Sequence, residues 1–467
     1  MSAQIVNVLV TFSTLAVLGR ILTPAEFGLF GLVIAVQAVI KPMLDMGLQP
    51  AYIKIENVSE GTSNAFFTIN VATGVLGGIL VAALAPWIAQ FYSAEQLKIL
   101  LPVFALSFVL AAASGQPIAV QRRNKRFDRI SIVNTSVLIV GAAMAVVFAW
   151  LGFGVWALVW RAIIEAGLRF FIYLSLTPHS YRIVGYLAIR PHIRDIGFGI
   201  EIVASRLLGG WTNAFDKLAL GKFSAVAELG GYTRSQQLAL MPDANIRTSI
   251  TSPALSYLAR QKTDDKLENY LFLLWVVFVF AGTPCLILVT YGDLLLPLIL
   301  GDQWIEFGWI LQCMGLYGLG RVFQGYSAIY HIDRKVVKWT NIYLLGSVFG
   351  VLLLPITLLI RTESSFYFIV SIAVLSVCYW LLALFHAFFR DWSNALVDTS
   401  KALLKITFIV LSTLTSMFFV KETLLVGSKF EILAKGISSQ VALLLLLIFI
   451  LHKRELRRAL NSIRATP

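Results

Sequence analysis

Lys41, Arg161, Arg169, Arg206, Lys217, Arg234, Arg247 and Arg321 all fall within stretches that are otherwise apolar. An Arg or Lys at the centre of a lone membrane helix costs about 2.5–3.5 kcal/mol on insertion scales, so such residues persist where they meet a partner or line a wet gap. Acids share these stretches: Asp45, Glu165, Glu201, Asp216 and Asp243. Lys41 and Asp45, Arg161 and Glu165, and Glu165 and Arg169 are each four residues apart, which puts each pair on one helical face. For these pairs, mutual neutralisation accounts for the charges as well as ligand contact does. Glu201 and Arg206 are five apart, a weaker spacing, and the adjacent Asp216 and Lys217 are expected to point in different directions. Arg206, Arg234, Arg247 and Arg321 have no same-helix acid at pairing distance, apart from Asp243 for Arg247, and are the first candidates to line a cavity. The chemistry they suit is binding of a phosphate-bearing anion, because guanidinium offers phosphate oxygens a planar fork of charged donors. Cations at several depths would carry such an anion across a medium of low dielectric constant. Asp45, Glu165 and Asp216 are candidates for coupling that movement to an ion.

The elements holding these residues are membrane helices. The chain is 58% hydrophobic and 13% charged, with a mean hydropathy of +0.80, against roughly 45–50% and 25% in soluble domains. Apolar runs of about 20 residues, the length of a membrane span, recur throughout. The predicted fold class is an all-α polytopic membrane protein with about 14 transmembrane helices. The predicted spans are 4–22, 28–53, 63–85, 97–120, 130–152, 155–178, 196–219, 230–258, 269–291, 305–330, 339–360, 365–388, 402–421 and 434–452. Gly74 and Gly78 form a GxxxG helix-packing signature in the third. Trp87, Trp150, Trp156, Trp304 and Trp309 sit near predicted span ends, where an interfacial belt is expected.

No cofactor or metal is expected. No phosphate loop of the GxxxxGK[ST] type occurs, the five histidines form no ligand pattern, and Cys285, Cys313 and Cys378 lie in apolar runs as packing residues. The first stretch lacks the basic start and cleavage site of a signal peptide.

The net charge of +13 reads as a topological signal, not a nucleic-acid footprint, because Lys and Arg accumulate in cytoplasmic loops. With both termini cytoplasmic, inward segments take Arg122, Arg123, Lys125, Arg126 and Arg129, then Arg182, Arg190 and Arg194, then the groups around Arg260 and Arg334. The tail from Lys453 to Arg464 would anchor on anionic headgroups. By this assignment about 22 Lys and Arg face in and about 7 face out, the expected bias; the loop around YGDLLLPLILGDQWIE carries none. Arg161, Lys217 and Arg234 then lie nearer the outside, Lys41, Arg169 and Arg206 at mid-depth, and Arg247 and Arg321 further in.

One phrase occurs twice. LGRILTPAEFGLF at 18–30 aligns without gaps on LGKFSAVAELGGY at 220–232, with Glu26 on Glu228 and Gly28 on Gly230. The copies follow predicted spans one and seven, an even offset, so both enter the membrane in one direction: a parallel repeat with its pseudo-two-fold axis along the membrane normal. This predicts two six-helix lobes, 1–178 and 196–388, a cytoplasmic connector at 179–195, and two extra helices with a basic tail at 389–467. Locally, Glu in a first turn complements the positive helix end and Gly lets the two hairpin helices approach closely.

RILTPAEFGLFGL, DMGLQPAYI, NAFDKLALGKFSAVAELGGYTRSQQLALMP and GFGVWALVWR together resemble the oligosaccharide flippases of bacterial surface-polysaccharide synthesis, in the multidrug, oligosaccharidyl-lipid and polysaccharide exporter superfamily. They lean toward the subgroup of colanic-acid-type exporters. The resemblance runs from about residue 15 to about residue 390. It implies a substrate, an oligosaccharide linked to undecaprenyl pyrophosphate, that passes from the inner to the outer leaflet. It also implies a V of two lobes that rocks between inward-open and outward-open states, in the bacterial inner membrane. Members of the family carry more chain ahead of the first span, which implies either that this helix is short or that the sequence starts downstream of the natural start. Partners would be the lipid-linked oligosaccharide, membrane lipids, and a polysaccharide polymerase with other assembly proteins. Two rival readings are an ion-coupled multidrug or metabolite antiporter of the same architecture and a membrane-embedded polymerase or ligase. The first would favour unpaired carboxylates over cations. The second would call for a longer external loop than the roughly fifteen residues available here.

Overall fold

The computed structural model describes residues 2–45, 47–55, 58–177, 181–186, 211, 214–258, 270, 273, 274, 276–333 and 337–391. The described chain is helical: α1 (Ser2–Ile21), α2 (Pro24–Asp45), α3 (Leu48–Lys54), α4 (Glu60–Phe91), α5 (Leu97–Arg123), α6 (Phe127–Trp150), α7 (Val155–Ser175), α8 (Phe215–Phe223), α9 (Val226–Leu258), α10 (Thr283–Leu300), α11 (Gly308–Asp333), α12 (Val337–Ser347), α13 (Leu354–Thr362) and α14 (Ser365–Asp391). π-helical turns, Phe278–Gly282 and Val348–Leu353, run into α10 and α13. Among the described residues, eight helical segments are long and apolar enough to cross a membrane. They comprise α1, α2, α4, α5 and α6, then Phe278–Leu300, Ile342–Thr362 and Ser365–Leu384. This is a multi-pass membrane protein. α7, α9 and α11 are absent from that set although long enough to span, α7 having 21 residues. These three helices carry Arg161, Arg169, Arg234, Arg247 and Arg321. The predicted spans at 402–421 and 434–452, the basic tail, and most of 179–195 and 196–219 lie outside the described residues.

The chain divides into two compact units, Met1–Thr233 with Leu359–Ser365, and Arg234–Leu358 with Phe366–Pro467. In the first, α4 lies along α5, α5 also takes α7, and α6 packs on α7 and α1. The GxxxG makes the α4–α5 contact close: a Cβ added at Gly74 would sit 2.6 Å from Ala112 Cβ, and one at Gly78 3.5 Å from Val109. Arg122 and Arg123, read from sequence as topological charges, also serve α3. Arg122 donates to Gln49 Oε1 at 3.0 Å, and Arg123 to the carbonyls of Tyr52 at 3.2 Å, Ile53 at 3.3 Å and Ile55. A guanidinium on the last carbonyls of a helix offsets their partial negative charge. From the connector, the described residues 181–186 run along α4. The Arg182 N–H donates to Asn64 Oδ1 at 3.1 Å and the Val184 N–H to Thr68 Oγ1 at 3.0 Å, while Tyr181 stacks on Phe67 at 4.7 Å. Burial there pushes the Tyr181 phenol above its ordinary range, so it remains neutral.

In the second unit, α10 packs along α11 with glycines at the contact: a Cβ at Gly315 would meet the Val289 nitrogen at 2.7 Å, and one at Gly292 the Gln312 nitrogen at 2.7 Å. An aromatic core of Tyr270, Phe278, Phe323, Tyr326, Tyr330 and Trp380 fills this unit. Tyr326 donates to the Tyr270 carbonyl at 2.6 Å.

Three sequence expectations are corrected. The span at 28–53 breaks where Gly47 takes the left-handed conformation, φ 61°, which separates α2 from α3. Much of YGDLLLPLILGDQWIE is helical: α10 runs through Pro297 to Leu300 and ends at Gly301, φ 106°. Asp293 reads as a loop residue but accepts from Gln312 Nε2 at 3.4 Å against α11. Trp304 is fully buried beside Phe307 and is no interfacial residue, whereas Trp87 and Trp150 are exposed at 65% and 85%.

Candidate functional site

α7 carries the clearest charged constellation. Arg161 Nε donates to Glu165 Oε1 at 2.9 Å and Arg169 Nη2 to Glu165 Oε2 at 3.0 Å. The i, i+4, i+8 spacing anticipated this, since it advances only about 40° per step and keeps the three residues on one stripe about 12 Å long. Gly141 on α6 makes the room: a Cβ there would lie 2.4 Å from Glu165 Cγ. One carboxylate thus serves two guanidiniums, leaving the triad with a net positive charge. The Glu165 side chain is 14% exposed and the arginines 24% and 34%. Each guanidinium has five N–H donors and spends only part of them here.

A second constellation joins α8 to α9. Asp216 is buried, accepts from Tyr232 Oη at 2.8 Å and from the Lys217 backbone N–H at 2.8 Å, and has Lys217 Nζ at 3.4 Å. The expectation that Asp216 and Lys217 diverge is therefore corrected: Lys217 folds back across its neighbour's carboxylate. Sequence reasoning missed Tyr232, which aligns with Phe30 of the first copy; a hydroxyl gained at that position was the available signal.

Arg234 Nη1 donates to Gln237 Oε1 at 2.7 Å on α9. Gln237 was also missed, although i+3 is a helical pairing distance. Arg321 is half-buried on α11 and forms no ion pair among the described residues. Lys41 is exposed on α2. Asp45 and Arg247 lie on described helices, but their side chains are outside the described residues, as is Arg206 entirely. The structure thus brings together Arg161 with Glu165 and Arg169, and Asp216 with Lys217. Among the described residues no group of three or more His, Cys, Asp or Glu could hold a metal.

The repeated phrase occupies the starts of α2 and α9. Glu26 forms a reciprocal cap with Thr23, accepting from its N–H at 2.7 Å while the Glu26 N–H donates to Thr23 Oγ1 at 3.3 Å. Its Oε1 also lies 2.3 Å from where a Cβ on Gly154, just ahead of α7, would be. Glu228 accepts from Ser365 Oγ at the start of α14. Gly28 and Gly230 face elsewhere. A Cβ on Gly28 would fall 1.8 Å from the Val226 carbonyl oxygen, and one on Gly230 1.9 Å from that of Pro24. Close approach was expected from the glycines, but to the hairpin partner; it is made to the other copy instead. A cavity of about 470 Å³ lies beside Glu26, lined also by Leu29, Gln96, Ile99 and Trp156. It contains no cation and does not suit an anion.

The chain is similar to the teichuronic acid biosynthesis protein TuaB of Bacillus subtilis (strain 168), 23% identical over 309 residues, 66% of this chain and 64% of that one. It is similar to the lipopolysaccharide biosynthesis protein WzxC of Escherichia coli (strain K12), 23% identical over 313 residues, 66% and 63%. It therefore spans somewhat under two thirds of the length of these curated relatives. Its fold is that of a solved lipid II flippase MurJ in an inward closed conformation, with TM-score 0.72 at 13% identity over 97% of this chain and 100% of that one. A multidrug resistance MATE family transporter in an inward-facing conformation matches with TM-score 0.59 at 15% identity, over 84% and 96%. A family model described as polysaccharide biosynthesis protein matches residues 17–309, more than half of the sequence, and the chain belongs to that family.

Proposed function

We propose that this protein flips an oligosaccharide linked to undecaprenyl pyrophosphate from the inner to the outer leaflet of the bacterial cytoplasmic membrane, for surface or exopolysaccharide synthesis. Two six-helix lobes, 1–178 and 196–388, alternate access to a cationic central cavity, with both chain termini cytoplasmic. The observation that carries this reading is the Arg161–Glu165–Arg169 triad: two guanidiniums share one carboxylate, so a stripe of a membrane helix keeps positive charge and spare donors for pyrophosphate oxygens. The family match and the names of the relatives support the same substrate class. Lys41, Arg206, Lys217, Arg234, Arg247 and Arg321 extend the cationic lining. With the cell interior negative, export of an anion gains about 2.3 kcal/mol per charge per 100 mV, so the membrane potential assists turnover. Glu165 is committed to two arginines. Asp216, buried with Tyr232, is the better carboxylate for any ion coupling. The protein acts as a transporter and not an enzyme; its assembly partners would include a polysaccharide polymerase.

A deletion strain should accumulate carrier-linked oligosaccharide on the cytoplasmic leaflet. Normal surface polymer with altered drug sensitivity would point to the antiporter instead. Arg169→Ala is expected to cut export about ten- to a hundred-fold, the worth of one charge-assisted hydrogen bond, at unchanged protein level, because Glu165 keeps Arg161 as partner. Arg169→Lys retains the charge without the fork and should fall between the two. Arg206→Ala and Arg234→Ala are expected to lose export in the same way; unchanged export removes those residues from the path.

A further inference from the structure

The two copies of the repeated phrase spend their glutamates differently. Glu228 accepts from the Oγ of Ser365, the first residue of α14. At the corresponding place in the first copy, immediately ahead of α7, stands Gly154, which brings no hydroxyl. Glu26 Oε2 accepts from the Thr23 N–H at 2.7 Å and from Thr23 Oγ1 at 3.0 Å. Glu26 Oε1 takes no hydrogen bond among the described residues. Gly154, φ 56°, keeps the space beside that oxygen clear, since a Cβ there would lie only 2.3 Å from it. The first copy thus holds an acceptor whose donor is missing, at the point where the second copy supplies one.

Glu26 and Gly154 both line the cavity of about 470 Å³. Its floor is apolar, with Leu29, Leu100 and Val155, and Trp156 adds an aromatic wall. No Lys, Arg or His lines it, so nothing in the cavity answers the charge of the carboxylate. Cations are drawn both to such an oxygen and to aromatic faces. The cavity also has a definite depth. Trp87 and Trp150, both exposed, lie near the ends of the neighbouring α4 and α6, and Trp favours the level of the lipid headgroups. Two other lining residues, Ile99 and Phe153, are exposed at 63% and 45%, an apolar rim on which an acyl chain can lie.

We propose that this cavity binds a primary ammonium group, the headgroup amine of phosphatidylethanolamine. The ammonium donates to Glu26 Oε1 from the place that Ser365 Oγ fills in the second copy. The cavity is larger than an ammonium needs, which leaves room for the ethanolamine carbons, with the phosphate at the open side and the acyl chains over Ile99 and Phe153. The proposal goes beyond the flippase reading and does not depend on it. It predicts that one lipid is held on the first unit whichever substrate the protein moves.

The test is native mass spectrometry of the purified full-length protein after incubation in detergent with equal amounts of phosphatidylethanolamine, phosphatidylcholine and phosphatidylglycerol. One phosphatidylethanolamine should be retained about ten-fold over either competitor, because the choline head has no N–H to donate and the glycerol head brings no cation. Glu26→Gln keeps an oxygen for the Thr23 N–H but removes the charge, and should abolish that preference. Ile99→Lys supplies an ammonium from the protein itself and should also abolish it. Position 99 is exposed, so this variant keeps its fold even where Glu26→Gln does not. Equal retention of the three lipids by the unaltered protein, or a preference undiminished in Ile99→Lys, overturns the proposal. Free ethanolamine at millimolar concentration is the last arm. No displacement supports the lipid as the ligand; complete displacement overturns the lipid assignment and gives the same ammonium site to a soluble amine.

Discussion

Glu165→Ala is expected to destabilise the folded protein by about 3 kcal/mol, the low end of the cost of leaving a buried charge without its partner, because both guanidiniums keep some exposure. Two arginines lose their acceptor at once, and the space above Gly141 that the side chain fills is vacated. Arg161→Ala and Arg169→Ala should each cost only about 1 kcal/mol, since Glu165 keeps one partner. Thermal unfolding of the purified protein in detergent orders the series, with Glu165→Gln intermediate because the amide oxygen still accepts. Replacing all three residues with leucine should restore stability, as well-packed apolar residues do for buried ion groups, and should leave export absent. That split separates the charge's structural cost from its service to the substrate. Glu165→Ala proving no less stable than Arg169→Ala would remove the carboxylate from the centre of the constellation.

Gly28→Leu and Gly230→Leu should each cost at least about 3 kcal/mol, the upper end of the range for overpacking. The obstacle at both positions is a backbone carbonyl, at 1.8 and 1.9 Å from the added Cβ, and no rotamer change can clear it. Gly167→Ala is the control. That glycine is also helical, but its added Cβ would meet only Leu110 Cδ1 at an ordinary 3.8 Å, so it should be neutral or stabilising by about 0.5–1 kcal/mol. Thermal unfolding of the three variants checks both signs. Equal tolerance at positions 28 and 167 would mean that the helices do not cross this closely.

Periodic information was legible in the sequence, and non-local information was not. α5 was expected at 97–120 and begins at Leu97; α6 was expected at 130–152 and runs Phe127–Trp150, because apolar runs between basic and glycine-bearing turns leave few alternatives. The α7 ion pairs followed from i, i+4 spacing alone. Pro86, Pro102, Pro117 and Pro297 all sit inside helices; α4 runs past the expected end at 85 to Phe91, and α10 past 291 to Leu300. Trp304 was assigned to an interface by residue type, while its burial depends on what packs over it. The repeated phrase was visible as a duplication, but its glycines gave no hint of which helix they would meet. That Lys217 bends over Asp216, and that Tyr232 supplies the hydroxyl, required α8 and α9 to be placed together first.

The docking of residues 182 and 184 on α4 uses main-chain amides alone, received by an asparagine and a threonine on successive turns. Such a grip reads the peptide backbone and is blind to side-chain identity. These two contacts therefore set no demand on the side chains at 182 and 184, in contrast to the neighbouring Tyr181, whose ring stacks on Phe67; only imino acids, which have no amide proton to offer, are barred from those two positions.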